Sequence, residues 1–155
     1  MKKLFAPVII LLVFVMTIPA CQKNKSSGIA VSDVMARVEA TAGFEDPLRE
    51  DITMPETAEK YGISGQDVRE GLVLESSEKN SADIVILVRA KNDDAVLKLE
   101  RALAAKAAGL TNAFEKDSEQ RDKIESSVLK TRDDYVILIV CGNPEDIEKI
   151  FDEMI

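Results

Sequence analysis

The sequence predicts an α+β domain on a four-stranded, mainly antiparallel sheet, and three features carry that expectation. Residues 84–88 and 135–141 are unbroken apolar runs rich in Val, Ile and Leu, the pattern of strands buried on both faces. Each run is followed by an asparagine and a helical pattern, Asn92 in the first case and Asn143-Pro144 in the second. Sliding residues 83–99 onto residues 134–150 gives six identities in seventeen, including Asp83/Asp134, the Val-Ile-Leu triplets and Lys98/Lys149. The domain therefore reads as two strand–strand–helix units sharing one sheet, with their two helices on one face. Strands apolar throughout leave no wet side, so an N-terminal helix is expected to cover the rest.

The chain opens with Met1-Lys2-Lys3, then an apolar run over residues 4–16, then Ile18-Pro19-Ala20-Cys21. A positive head, a short apolar stretch and small residues make a secretory signal. Thirteen apolar residues fall short of the roughly 20 that a membrane-spanning helix needs. Ile18, Ala20 and Cys21 resemble the lipobox of bacterial lipoproteins, with Pro19 a less usual second residue. That resemblance implies cleavage between Ala20 and Cys21 and a diacylglyceryl group on the Cys21 thiol, whose two acyl chains anchor stably. Residues 1–20 are thus expected to be a signal peptide and residues 21–30 a lipidated cysteine with a flexible tether. Residues 31–155 form the single domain. Lys23 and Lys25 read as a solubilising spacer, and the Asn24-Lys25-Ser26 sequon as chance.

Within the domain, Ser32 is expected to cap a helix from about Asp33 to Ala42, with Asp33 favourable at its positive end, Val34, Met35, Val38 and Ala42 on one side and Gly43 as its stop. Residues 44–55, with two prolines and four acids, read as irregular structure without the D-x-[DN]-x-[DN]-G calcium pattern. A short helix over residues 56–61 ends at Gly62, and Ser64 opens a further turn through Arg69. Residues 72–74 and 83–90 read as paired strands. Val96, Leu99, Leu103, Ala107, Leu110 and Phe114 form the apolar stripe of a long helix, with Asp93 and Asp94 favourable in its first turn. Residues 115–126 read as helix after a break, and residues 127–131 and 134–141 as the second strand pair. Asn143 caps the last helix, whose buried side is Ile147, Ile150, Phe151 and Met154.

Composition excludes whole classes of chemistry. The 155 residues contain no histidine, which removes His-based triads, the HExxH zinc site and Cys–His nucleophiles. No phosphate-cradling glycine loop is present. Ser76/Lys79 and Ser127/Lys130 match S-x-x-K, but one pair lies in a turn and the other runs into a strand, so neither suits a serine–lysine hydrolase. The net charge of −8 becomes more negative once Lys2 and Lys3 are removed, which argues against a nucleic-acid partner. Cys141 ends an apolar strand without a disulfide partner and reads as a buried small hydrophobe. Tyr61 and Tyr135 read as packing residues.

Tyr61-Gly62-Ile63, Asp67-Val68, the strand at 83–90, the long helix and the final hairpin at 134–140 resemble small lipoproteins of Clostridia-type Gram-positive bacteria. These proteins carry the domain of unknown function 4358, and the resemblance spans about residues 30–155. Members often carry Tyr-x-Pro after the long helix, where this chain has Lys116-Asp117-Ser118, and a glycine in the final hairpin, where it has Arg132-Asp133. The resemblance implies location and fold, but no chemistry. The expected protein is thus anchored through Cys21 on the extracytoplasmic face of the cell membrane, binding or scaffolding an envelope partner, with no catalytic residue, cofactor or metal. The rival expectations are a cell-envelope enzyme using carboxylates or an unseen metal, and a small-ligand receptor accessory to a transporter.

Overall fold

In the computed structural model, which describes residues 28–155, the two apolar runs are the central strands of a five-stranded sheet. The chain runs α1 (Val31–Ala42), β1 (Leu48–Asp51), α2 (Pro55–Lys60), β2 (Val68–Glu75), β3 (Ile84–Ala90), α3 (Asp93–Ala113), α4 (Ser118–Glu125), β4 (Val128–Arg132), β5 (Tyr135–Val140) and α5 (Pro144–Met154). The strand order is β1-β2-β3-β5-β4, antiparallel throughout. Every residue of β3 and β5 is buried, as unbroken apolar strands require. No helix among the described residues is long and apolar enough to cross a membrane.

The α+β class holds, but the sheet has five strands where four were expected. The additional strand, β1, has the sequence Leu-Arg-Glu-Asp and pairs with the outer side of β2. It lacks the apolar alternation that marks a strand, because three of its four side chains are charged. Such side chains on a short edge strand protect it from pairing with other chains. The helical turn expected through Arg69 is also corrected: β2 already begins at Val68, and its pairing with β3 shifts between Val68 and Glu70.

The helices do not share one face. Ile86, Val88, Val136 and Leu138 pack with Leu99 and Leu103 of α3, Ile124 of α4 and Ala58 of α2. On the other side, Val85, Leu87, Ile137 and Ile139 pack with Val34, Met35 and Val38 of α1 and Ile147, Ile150 and Phe151 of α5. The N-terminal helix covers the second face as expected, but it shares that face with α5. Register explains the split. Ile86 sits opposite Leu138, one residue past Ile137, its equivalent in the 51-residue offset. Cross-strand neighbours face the same way and a shift of one residue reverses the facing. Ile86 and Ile137 therefore point to opposite faces, and each following helix goes with them. The two strand–strand–helix units have opposite hands, so no rotation superposes them.

Helix ends follow the sequence closely, with two exceptions: α1 begins at Val31, with Ala30 and not the expected Ser32 at its cap position, and the cap expected for α5 is not made. Asn92 Oδ1 accepts from the Ala95 N–H at 2.9 Å, the expected cap of α3. Asp117 caps α4 through the Gln120 N–H at 3.2 Å. Asn143, expected to cap α5, makes no capping bond. Its Nδ2 instead donates to the Thr41 carbonyl at 3.3 Å, tying the start of α5 to the end of α1.

Candidate functional site

Two polar assemblies interrupt the apolar sheet, on opposite faces. Glu70 belongs to one and Glu75 to the other, five positions apart on β2 and so separated by about 17 Å along the strand.

The first is centred on Arg89, the only charged residue of β3, which is 7% exposed beneath the start of α1. Its Nε donates to Asp134 Oδ2 at 3.0 Å, its Nη1 lies 3.4 Å from Glu70 Oε1, and its guanidinium stands 5.1 Å from the Tyr135 ring centroid. Burial opposes the Arg89 charge, but the hydrogen bond and charge of Asp134 outweigh it and raise the pKa above the ordinary arginine value. This assembly is a socket for the chain ahead of α1. The Tyr135 hydroxyl donates to the Ile29 carbonyl at 2.6 Å, and the Val31 N–H donates to Glu70 Oε2 at 3.0 Å. Ala30 offers no side-chain cap to α1, so the Glu70 carboxylate satisfies one of its free N–H groups and complements the helix dipole. A Cβ on Gly28 would collide with the Tyr135 hydroxyl and the Arg89 guanidinium. Residues 28–30, expected at the end of the tether, are therefore docked on the domain.

The second assembly surrounds Tyr61, which follows α2 and is 1% exposed. Its hydroxyl lies 2.9 Å from Glu50 Oε2 and 3.0 Å from Glu75 Oε2, donating its single proton to one at a time. Lys60 Nζ donates to Glu50 at 2.9 Å and to Glu75 at 3.4 Å. The Lys60 hydrogen bond holds the Glu50 carboxyl below its ordinary pKa. Burial opposes the Lys60 charge, and its hydrogen bond to Glu50, with the charge of Glu75, more than offsets that. Burial, then the two carboxylates, push the Tyr61 phenol well above the ordinary tyrosine range, so it stays protonated.

Beside this ring a cleft of about 280 Å³ opens between the end of α2 and the middle of α3. Its lining includes Lys60, Tyr61, Gly62, Lys106, Gly109 and Leu110. Lys60 and Lys106 stand 4.9 and 5.3 Å from the Tyr61 ring centroid. Gly62 has φ +72°, which explains a glycine at the end of α2. Gly109 lies inside α3, and a Cβ there would meet nothing within 4 Å. Neither backbone conformation nor packing requires glycine at that position. Gly109→Ala is therefore expected to stabilise the fold by about 0.5–1 kcal/mol, read as a raised midpoint in urea.

The other residues singled out in the sequence separate into structural roles. Cys141 is fully buried and burial raises its thiol pKa, consistent with a packing role. Ser76 starts the β2–β3 connection, where its hydroxyl accepts from the Glu78 N–H. Lys130 joins β4 to α5 through Glu148 at 2.7 Å and Asp152 at 2.8 Å. No group of three or more acidic or cysteine side chains among the described residues is arranged to hold a metal. Ile18, Ala20 and Cys21, with Lys23, Lys25 and the Asn24 sequon, lie outside the described residues. Sequence reading missed Arg89, Asp134 and Glu70, although an arginine in an otherwise apolar strand was a visible signal. It also missed Glu50, Glu75 and Lys106, which converge on Tyr61 only in three dimensions.

Comparison with curated proteins and with solved structures found no match. The domain of unknown function DUF4358 matches residues 46–141, from just before β1 to just after β5. That match spans the whole sheet, α3 and most of both polar assemblies, and the chain belongs to the DUF4358 family.

Proposed function

We propose that this protein is an extracytoplasmic lipoprotein of a Gram-positive bacterium, held to the cell membrane through lipid on Cys21, and that its folded domain is a binding module. The observation that carries the anchor is the thirteen-residue apolar run over residues 4–16 followed by Ile18-Pro19-Ala20-Cys21. The socket supports the arrangement. Between Cys21 and Gly28 the chain reaches at most about 25 Å, so the Arg89 end of the sheet stays near the bilayer. The Tyr61 cleft lies toward the other end of β2 and on the other face, open to a ligand away from the lipid.

The cleft favours a second reading within the same class, a small-ligand receptor accessory to a transporter. The carboxylates Glu50 and Glu75 are engaged by Lys60 and Tyr61, which favours a structural role for them over a hydrolytic one. Cys21→Ser tests the anchor. The variant is expected to leave the membrane fraction and appear unlipidated, while the native chain partitions with membranes and incorporates labelled fatty acid. Native protein released without lipid would contradict the proposal.

A further inference from the structure

We propose that α4 is a lid on the layer between the sheet and α3, at the end away from Arg89, and that it comes off as a unit while α3 and the strands stay folded. The inference concerns the domain itself and rests neither on the lipid anchor nor on a ligand.

α4 is held mainly by polar contacts, unlike the longer helices. α3 buries Ala95, Leu99 and Leu103, and α5 buries Ile147, Ile150 and Phe151. α2 is shorter than α4, but Tyr61 and Ile63 follow it directly into the core. The sequence of α4 is Ser-Glu-Gln-Arg-Asp-Lys-Ile-Glu, and it buries one apolar side chain, Ile124, together with the polar Gln120. Helices shorter than about 12–15 residues are marginal in water, so these eight residues stay helical only through what they touch.

The contacts converge on two residues just ahead of β3. Gln120 Oε1 accepts from the Ala82 N–H at 2.9 Å, and Lys123 Nζ donates to Asp83 Oδ2 at 2.9 Å. Ile124 enters the same apolar layer as Ala82 and Ile84. Closure also carries a cost. Asp83 Oδ1 is buried, and no hydrogen-bond donor among the described residues reaches it. A dry carboxylate oxygen without a partner opposes the closed state, and opening returns it to water. The flanks permit the motion, since residues 114–117 and 126–127 lie outside any helix or strand. A segment with so few buried apolar contacts opens well below the global unfolding transition.

The test is native-state hydrogen exchange of the full-length, ¹⁵N-labelled chain in nanodiscs, with and without sub-denaturing urea. The Ala82 amide is the decisive probe, because its acceptor sits on α4 while Ala82 itself belongs to the β2–β3 connection. Ala82 and the α4 amides from Asp122 to Ser126 are expected to share one opening constant. They should exchange at least about 100-fold faster than Leu99 and Leu103 of α3, with little dependence on urea. Lys123→Met, which removes one tie, is expected to raise the opening of Ala82 and α4 together by about tenfold. Fast exchange in α4 with Ala82 still protected would mean that the helix only frays, and would overturn the lid. Exchange of α4 in step with α3, at the full urea dependence of unfolding, would overturn it equally, because α4 would then leave only with the whole domain. The native chain decides among these outcomes whether or not the variant folds.

Discussion

Asp134→Ala is expected to destabilise the domain by about 3–5 kcal/mol, because it leaves the Arg89 guanidinium buried without its main partner. Arg89 and Asp134 side chains are each 9% exposed and meet at 3.0 Å. Removing both charges is a different experiment from removing one. Arg89→Met combined with Asp134→Leu is expected to recover most of the loss, since a matched apolar pair avoids the desolvation of either ion. Glu70 limits the damage only in part, as its side chain is 38% exposed and it already accepts from the Val31 N–H. Its capture by Arg89 would also release the start of α1, so protease cleavage near Ile29 should accelerate in the Asp134→Ala variant. Urea unfolding measures the main effect; a loss below about 1 kcal/mol would mean that Arg89 is effectively solvated.

The second large effect is expected at Phe151. This α5 residue is fully buried in the layer shared with α1. Phe151→Ala is expected to cost about 3–5 kcal/mol, a large fraction of the roughly 5–15 kcal/mol that holds a domain together. Its pairing with a second truncation tests the architecture. Leu103 of α3 is equally buried but lies across the sheet. Leu103→Ala and Phe151→Ala are therefore expected to add within about 0.5 kcal/mol. Strong coupling in urea unfolding would mean that α3 and α5 share a layer after all.

Much of the fold was legible because its signals are local. The apolar runs of β3 and β5, the Asn92 cap and the α1 stripe each appear within one stretch of chain, and all four occur in the structure. The facing of α5 was not legible, because it depends on the single-residue register between β3 and β5. β1 was hidden because an edge strand protected by Arg49, Glu50 and Asp51 resembles an acidic loop. The candidate sites were least legible of all. Glu50, Tyr61, Glu75 and Lys106 come from four separate elements or their flanks, and no sequence spacing joins them. Tyr61 and Tyr135 were correctly read as packing residues, yet each also carries a hydroxyl that organises a polar assembly.

The most direct measurement is the mass of the N-terminal peptide of the native protein isolated from its own membranes. The account predicts a mature chain beginning at Cys21 and carrying a diacylglyceryl group on the thiol. A chain beginning at any other residue, or a free thiol at Cys21, would contradict it.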